Sequence, residues 1–225
     1  GVGHISVESL RELNACVAAA RATGHRACIT LRVNPQRLNR AFGMKMGGRA
    51  TQFGNDEESL GDILPVVAAH ADVLDFQGIH VYAGSQCFDA AGLAEGVADT
   101  LAAVRAIESE SPLYCAAINF GGGFGLSHVD IDKELGLAAL GEAVRPLLDA
   151  FVAESTRPRK LIFELGRYLT ANAGIYVARV VSRKSSRGKH FILADGGLHH
   201  HLAAAGTFGA ALRSNFILRN LSRPD

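Results

Sequence analysis

Five times in succession an apolar run gives way to an amphipathic stretch, and each run ends on small or polar residues. The runs are Gly1–Val7, Ala27–Val33, the second half of Val73–Ala83, Ala116–Phe120 and Leu161–Phe163. Between them, Glu8 to Ala22 carries Leu10, Leu13, Val17 and Ala20 at helical spacing and ends near Gly24. Further helices are expected over roughly 58–71, 89–109 and 133–154, the last with Leu135, Ala138, Leu140, Val144, Leu147, Leu148 and Phe151 as its apolar stripe. Such alternation predicts an α/β fold with a parallel sheet, its chemistry gathered at the carboxyl ends of the strands.

Two departures from the alternation matter. The connection 36–57, after the strand stopped by Asn34-Pro35, is Gly-rich and longer than ordinary connections are without a functional reason. After Asn172 the helices cease: Gly174–Val181 and His190–Asp195 read as strands separated only by a basic turn, Ser182–Lys189. That is the pattern of an antiparallel pair, and it predicts a first domain over 1–172 and the start of a second over 173–225. A hydrophobic content of 48% is ample for a core, while no apolar run is long enough to span a bilayer. With a net charge of +1 and both signs interspersed, neither nucleic acid nor a membrane surface is suggested as a partner. No basic segment followed by an apolar one opens the sequence, and Cys16, Cys28, Cys87 and Cys115 lack metal-type spacing. Both features predict a cytoplasmic protein with reduced thiols.

The stretch Leu161–Leu169 holds the densest chemistry. Glu164 puts a carboxylate at a strand's end, and Gly166-Arg167 follows with a flexible backbone and a guanidinium. Together they suit a ligand bearing a basic nitrogen and an anionic group, such as a phosphorylated pyridine; a strand end with a structural salt bridge would look the same. One loop earlier, Gly121–Gly125 lets backbone N–H groups close around phosphate oxygens without interference from Cβ, although a plain flexible turn also explains it. In a (β/α)8 barrel the last two strand–helix loops are a frequent phosphate site. Ser85, in the exit Gly84-Ser85-Gln86, offers a hydroxyl to the same group or simply bonds its own backbone. Strand alternation sends His80 and Tyr82 to one face. Arg32 near a strand's end requires a ligand or a carboxylate if it is buried. His199-His200-His201 cannot all point at one ion, so no metal site is read there, and Cys87 reads as a small buried residue.

Taken in order, Leu31–Pro35, Gln52-Phe53-Gly54, Gly78–Gln86, Asn119–Gly125, Glu164–Tyr168 and Asp195-Gly196-Gly197 resemble the motifs of the fold-type III, pyridoxal 5′-phosphate-dependent amino acid decarboxylases, the group of diaminopimelate and ornithine decarboxylases. The Gly43–Gly48 segment and the Leu198–Leu202 run are similar to a subgroup associated with exosortase gene clusters. The resemblance implies an alanine racemase-like (β/α)8 barrel, here strands four to eight, followed by the start of a β-domain. It implies pyridoxal phosphate as cofactor, a small amino acid of the diaminopimelate, ornithine or lysine kind as substrate, and a homodimer with shared active sites. It also implies roles for individual residues. Glu164 would pair with the pyridinium nitrogen; Gly121, Gly122, Gly123, Gly166, Arg167, Ser85 and nearby Tyr168 would hold the phosphate; His80 and Tyr82 would line the ring; Arg32 would support the stacking side chain.

Three differences from the family's pattern stand out. Tyr82 occupies the place of the ring-stacking histidine, while His80 matches an earlier histidine. Leu165 replaces a proline of the Glu-Pro-Gly-Arg motif. The lysine that attaches the cofactor and the cysteine of the β-domain have no counterpart in this sequence, which reads as the middle of a longer enzyme. A racemase of the same fold and a pseudoenzyme that binds a protein partner are the alternatives. A carboxylate at position 164 argues for decarboxylation over racemisation, since such racemases favour arginine at the ring nitrogen.

Overall fold

The computed structural model describes residues 2–37, 41–45, 47, 48, 50–127, 134–197, 199, 200 and 218–222. The chain forms two compact units, one of Gly1–Leu126 with Leu135–Tyr168 and another of Ser127–Glu134 with Leu169–Asp225.

The first unit opens with β1 (Ile5–Val7), shorter than the expected Gly1–Val7, and α1 (Leu10–Thr23). Ser9 caps α1 by accepting from the Glu12 N–H, and Gly24 ends it at φ 69°, a left-handed conformation that costs glycine little. Then come β2 (Ala27–Asn34), the short strands β3 (Met44–Lys45) and β4 (Asn55–Asp56), a 3-10 turn at Glu57–Ser59, and α2 (Leu60–Ala69). β5 (Leu74–Val81) and the two-residue β6 (Gly84–Ser85) lead to α3 (Ala90–Glu110), capped by the Asp89 carboxylate. β7 (Ala117–Asn119), α4 (Leu137–Ala153), β8 (Lys160–Ile162) and the one-turn α5 (Arg167–Thr170) complete the series. The fourth helix, α4, starts at Leu137, not near 133, because Gly136 before it is extended; Leu135 is buried ahead of the helix.

The five main strands pair side by side in the order β1-β2-β5-β7-β8, every neighbour parallel, with β4 adding to the end of β2. Alternation gives this sheet two different faces. Ile29, Leu31 and Val33 of β2, Ile79 and Val81 of β5 and Ile118 of β7 point into the core, at most 5% exposed. They join Leu13 and Val17 of α1, Ile63 and Val67 of α2, Leu101 and Val104 of α3, and Leu140 and Phe151 of α4 in one apolar cluster. Truncating any such fully buried leucine to alanine costs about 2–5 kcal/mol. The residues between them, Cys28, Thr30 and Arg32 on β2, His80 on β5 and Asn119 on β7, alternate with this apolar set and are polar or ionisable. The sheet is the α/β, parallel architecture expected, and it is open among the described residues.

In the second unit β9 (Val180–Ser186) and β10 (Lys189–Ala194) form the anticipated antiparallel pair. Its details differ from the expectation in two ways. The strands run through most of the basic segment, leaving only Arg187 and Gly188 as a turn, both at positive φ (49° and 76°), the conformation a tight hairpin needs. The first strand begins at Val180 rather than Gly174, because Ala194, its partner, is the last residue of β10. Arg179 is held instead by the carboxylate of Asp195. No helix of the described residues is long and apolar enough to cross a membrane.

Candidate active site

Three strand exits are fastened together at the carboxyl edge of the sheet. After β5 the chain turns through Gly84–Cys87, after β7 through Gly121–Leu126, and after β8 through Glu164–Gly166. The Glu164 N–H donates to the Gly121 carbonyl at 2.7 Å, and the Cys87 N–H donates to the Gly123 carbonyl at 2.9 Å. The Gln86 amide closes the same seam by donating to the Leu126 carbonyl and accepting from its N–H, at 3.0 and 3.1 Å. Glycine is required where these exits touch: a Cβ on Gly122 would fall 2.1 Å from the Glu164 carbonyl oxygen, and one on Gly123 the same distance from that of Gly84. Gly121 (φ 65°) and Gly123 (φ 98°) also adopt backbone conformations that side chains disfavour. Behind the seam Phe120 stacks on Phe163 with ring centres 5.0 Å apart, and Phe124 meets Phe163 and Tyr168 edge-on.

A row of polar groups crosses the strand ends beside this seam. Glu8, just after β1, pairs with Arg32 at the end of β2. The Arg32 guanidinium lies 5.0 Å from the ring centre of Phe53 and 5.9 Å from that of Tyr82. His80 is next in register, opposite Arg32 on one side and Asn119 on the other. Its Nδ1 is 3.3 Å from the Ser6 hydroxyl, and its Nε2 is 3.5 Å from Glu164 Oε2. That second distance is within ion-pair range, yet the buried Nε2 makes no hydrogen bond. Burial is the main cause that pulls the His80 pKa below its ordinary value; Glu164 and Glu8 pull it up, and Arg32 pulls it down. Glu164 accepts from the Asn119 amide through Oε1 at 2.7 Å, and the Asn119 carbonyl in turn accepts from the Gly121 N–H at 2.9 Å. One asparagine therefore ties the carboxylate to the glycine loop.

The residues singled out in the sequence fall into two groups. Arg32, His80, Tyr82, Gly121, Gly122 and Glu164 meet in the row and seam just described. Ser85 pairs through its backbone with Met44, and Gly123 contacts Gly84. Gly166 and Arg167 follow at an exposed bend, where Arg167 has no carboxylate partner among the described residues. Sequence reasoning missed Glu8, Ser6, Asn119 and Phe53 as participants. Glu8 looked like a helix-start acid, and only the pairing of β1 with β2 brings it beside Arg32. Asn119 stood inside a quoted motif, one residue from the glycines, and its position at a strand end was the available signal.

Elsewhere, an apolar cavity of about 300 Å³ opens between α3, α4 and the strand exits, lined by Val97, Leu140, Phe120 and Gly122 among others. None of its lining residues is ionisable. His199 and His200 belong to the second unit, and His201 lies outside the described residues. No cluster of three potential metal ligands occurs among the described residues. Cys87 and Cys115 are fully buried free thiols.

Residues 1–171 match the family model for the pyridoxal binding domain of pyridoxal-dependent decarboxylases. Over 96% of its length the chain is 36% identical to the L-glutamyl-[BtrI acyl-carrier protein] decarboxylase of Niallia circulans, covering 50% of that protein. It is 28% identical, over 88% of its length, to the diaminopimelate decarboxylase of Zymomonas mobilis, covering 46% of that protein. Among solved structures it is similar to diaminopimelate decarboxylase from M. jannaschii in complex with L-lysine, with a TM-score of 0.78 at 23% identity over 93% of this chain and 48% of the other. That likeness gives the fold, a (β/α)8 barrel type. The chain spans about half the length of the curated relatives it matches.

Proposed function

The chain belongs to the pyridoxal-dependent decarboxylases, and from that premise we propose that the whole protein removes the α-carboxylate of an amino acid as carbon dioxide, with pyridoxal 5′-phosphate as cofactor. The observation that carries this reading is Glu164: a half-exposed carboxylate at a strand's end, oriented by Asn119 and fastened to a glycine loop.

The residues present fit the cofactor. Its ring nitrogen needs an anion, and of the two carboxylates of the polar row Glu8 is taken by Arg32, while Glu164 has no arginine or lysine partner among the described residues. Its phosphate needs backbone N–H groups and a cation; Gly121–Gly123 with no room for Cβ, Ser85, Gly166 and Arg167, which has no carboxylate partner among the described residues, with Tyr168 beside them, answer to that. Its ring needs a flat wall, and Tyr82 stands next to the loop with Arg32 beyond it. Bound pyridoxal phosphate supplies an electron sink for the electron pair left when carbon dioxide departs. The part of Glu164 is to hold a proton at the ring nitrogen, and that of Asn119 is to fix the direction of the carboxylate. The exits locked by Gly122 and Gln86 keep the phosphate cradle at a constant distance from Glu164.

On this reading residues 1–172 are strands four to eight of the barrel and residues 173–225 begin a β-domain. The protein is cytoplasmic and acts as a homodimer with shared active sites. Two substrate classes follow from the relatives: free basic or dicarboxylic amino acids such as diaminopimelate, ornithine or lysine, and an aminoacyl group on a carrier protein. The test is the purified full-length protein, loaded with pyridoxal phosphate and offered both classes. Carbon dioxide release from at least one, abolished by Glu164→Gln, is the expected result. Racemisation without carbon dioxide, or no reaction with any amino acid, overturns the assignment.

A further inference from the structure

We propose that His80 is a positioning residue for Glu164: a neutral imidazole, fixed by Ser6, whose Nε2–H side lies beside the carboxylate without competing with it for charge. The inference rests on the reading of Glu164 as the partner of the cofactor's ring nitrogen.

The geometry supplies the tautomer. A serine hydroxyl can donate to Nδ1 or accept from it, and the two choices leave opposite atoms facing Glu164. If Nδ1 carried the proton, the bare Nε2 lone pair would face a carboxylate oxygen at 3.5 Å in a buried position, a repulsive arrangement. If Ser6 donates to Nδ1 instead, Nε2 carries the hydrogen, and the group 3.5 Å from Oε2 is a positive N–H end, although the contact falls short of a hydrogen bond. The same contact therefore turns from unfavourable to favourable by the choice of tautomer alone.

Charge matters as much as direction. A protonated His80 would form a full ion pair with Glu164 and reduce the negative charge available to a ring nitrogen. The surroundings act against that cation. The imidazole is only 13% exposed, and its register neighbour Arg32 is already a cation. Glu8, which would favour protonation, is engaged by Arg32. Burial, the largest influence, pulls the pKa down, and Glu164 on the strand end opposite pulls it up without prevailing. Asn119 thus gives Glu164 a hydrogen bond on Oε1, and a neutral His80 stands 3.5 Å from Oε2 as an electrostatic neighbour; together they bias the direction of the carboxylate and leave its charge for the cofactor.

Side-chain nitrogen NMR on the full-length, cofactor-free protein reads the tautomer directly. His80 is expected neutral at pH 7 with hydrogen on Nε2; hydrogen on Nδ1, or a cation at pH 7, overturns the proposal. The second measurement uses pyridoxal phosphate labelled with nitrogen-15 in the ring, bound to wild type, His80→Gln and His80→Leu. Wild type is expected to hold the ring nitrogen protonated. His80→Gln, which keeps a donor, retains that signature, while His80→Leu loses it in part and binds the cofactor about tenfold more weakly. An unchanged ring-nitrogen signal and affinity in His80→Leu refutes the positioning role. Failure of wild type to bind pyridoxal phosphate, or an unprotonated ring nitrogen in wild type, sinks the reading of Glu164 itself, and the proposal with it. Melting curves of both variants separate a folding defect from either outcome.

Discussion

Gly122 lies so close to Glu164 that a Cβ on it would stand 2.1 Å from the Glu164 carbonyl oxygen, nearer than any two such atoms can be held. The β7 and β8 exits meet there, and the same contact sets the distance between the glycine loop and the carboxylate. Gly122→Ala must push the two exits apart. A loss of about 1–3 kcal/mol in stability is expected, together with weaker pyridoxal phosphate binding. Gly141, on an exposed turn of α4 with open space where a Cβ would go, is the contrast. Gly141→Ala should stabilise the protein by about 0.5–1 kcal/mol. Denaturant titration of both variants checks the pair, and equal effects would contradict the close approach.

Glu164→Gln keeps the size of the side chain and its hydrogen bond from Asn119, so the cofactor should still bind. What is lost is the negative charge beside the ring nitrogen. Decarboxylation by the full-length enzyme should fall by at least about a hundredfold, comparable to removing a single electrostatic stabiliser in other active sites. Turnover equal to wild type would remove Glu164 from the chemistry.

The parallel sheet was legible because it is written in period-two and helical spacing, which local residues carry by themselves. The apolar run Ala27–Val33 announced β2, and the glycines at 121–123 announced a turn. Glu8 with Arg32, and Ser6 with His80, were not legible, because each pair comes from different strands and depends on register. In β5 the register slips at Gly78, where Thr30 faces Gly78 although Ile29 faces Phe76, and no periodicity reports such a slip. The hairpin's short turn was misjudged because charged residues such as Arg183 and Lys184 look like loop residues, although a two-stranded ribbon exposed on both faces accepts them equally well.

Cys115 should resist thiol reagents in the folded protein. Burial pushes its thiol up to about 12, with Glu108 adding to the effect and Arg159 opposing it. The folded pKa is raised above the unfolded value of about 8.5, so the neutral thiol contributes stability that is fully present below pH ~8.5. That contribution is lost as pH rises through the window between the two values, where the unfolded chain ionises and the folded one does not. Alkylation mapped by mass spectrometry at pH 8 should leave Cys115 unmodified until denaturant is added. Rapid modification in native conditions would contradict its burial. Cys115→Ala should flatten the decline of stability above pH 9.

Tyr82 tests what is left of ring stacking when the family's histidine is absent. A Cβ on Gly121 would approach Tyr82 Cδ2 to 3.1 Å, so the aromatic ring and the bare glycine backbone are fitted to each other. The Arg32 guanidinium also lies 5.9 Å from the ring centre, and it contacts Glu8 and Phe53. A wall of that construction needs the flat ring and does not need the hydroxyl. Tyr82→Phe should therefore bind pyridoxal phosphate as wild type does, whereas Tyr82→Ala should weaken binding about tenfold, the scale of one aromatic contact plus its buried area. Tyr82→His restores the family's residue and separates two effects. If the imidazole contributes only a ring, affinity and turnover match Tyr82→Phe; if it also moves protons, turnover rises and acquires a new pH dependence near the histidine range. Equal affinity in Tyr82→Ala and wild type would mean that the ring does not face the cofactor at all.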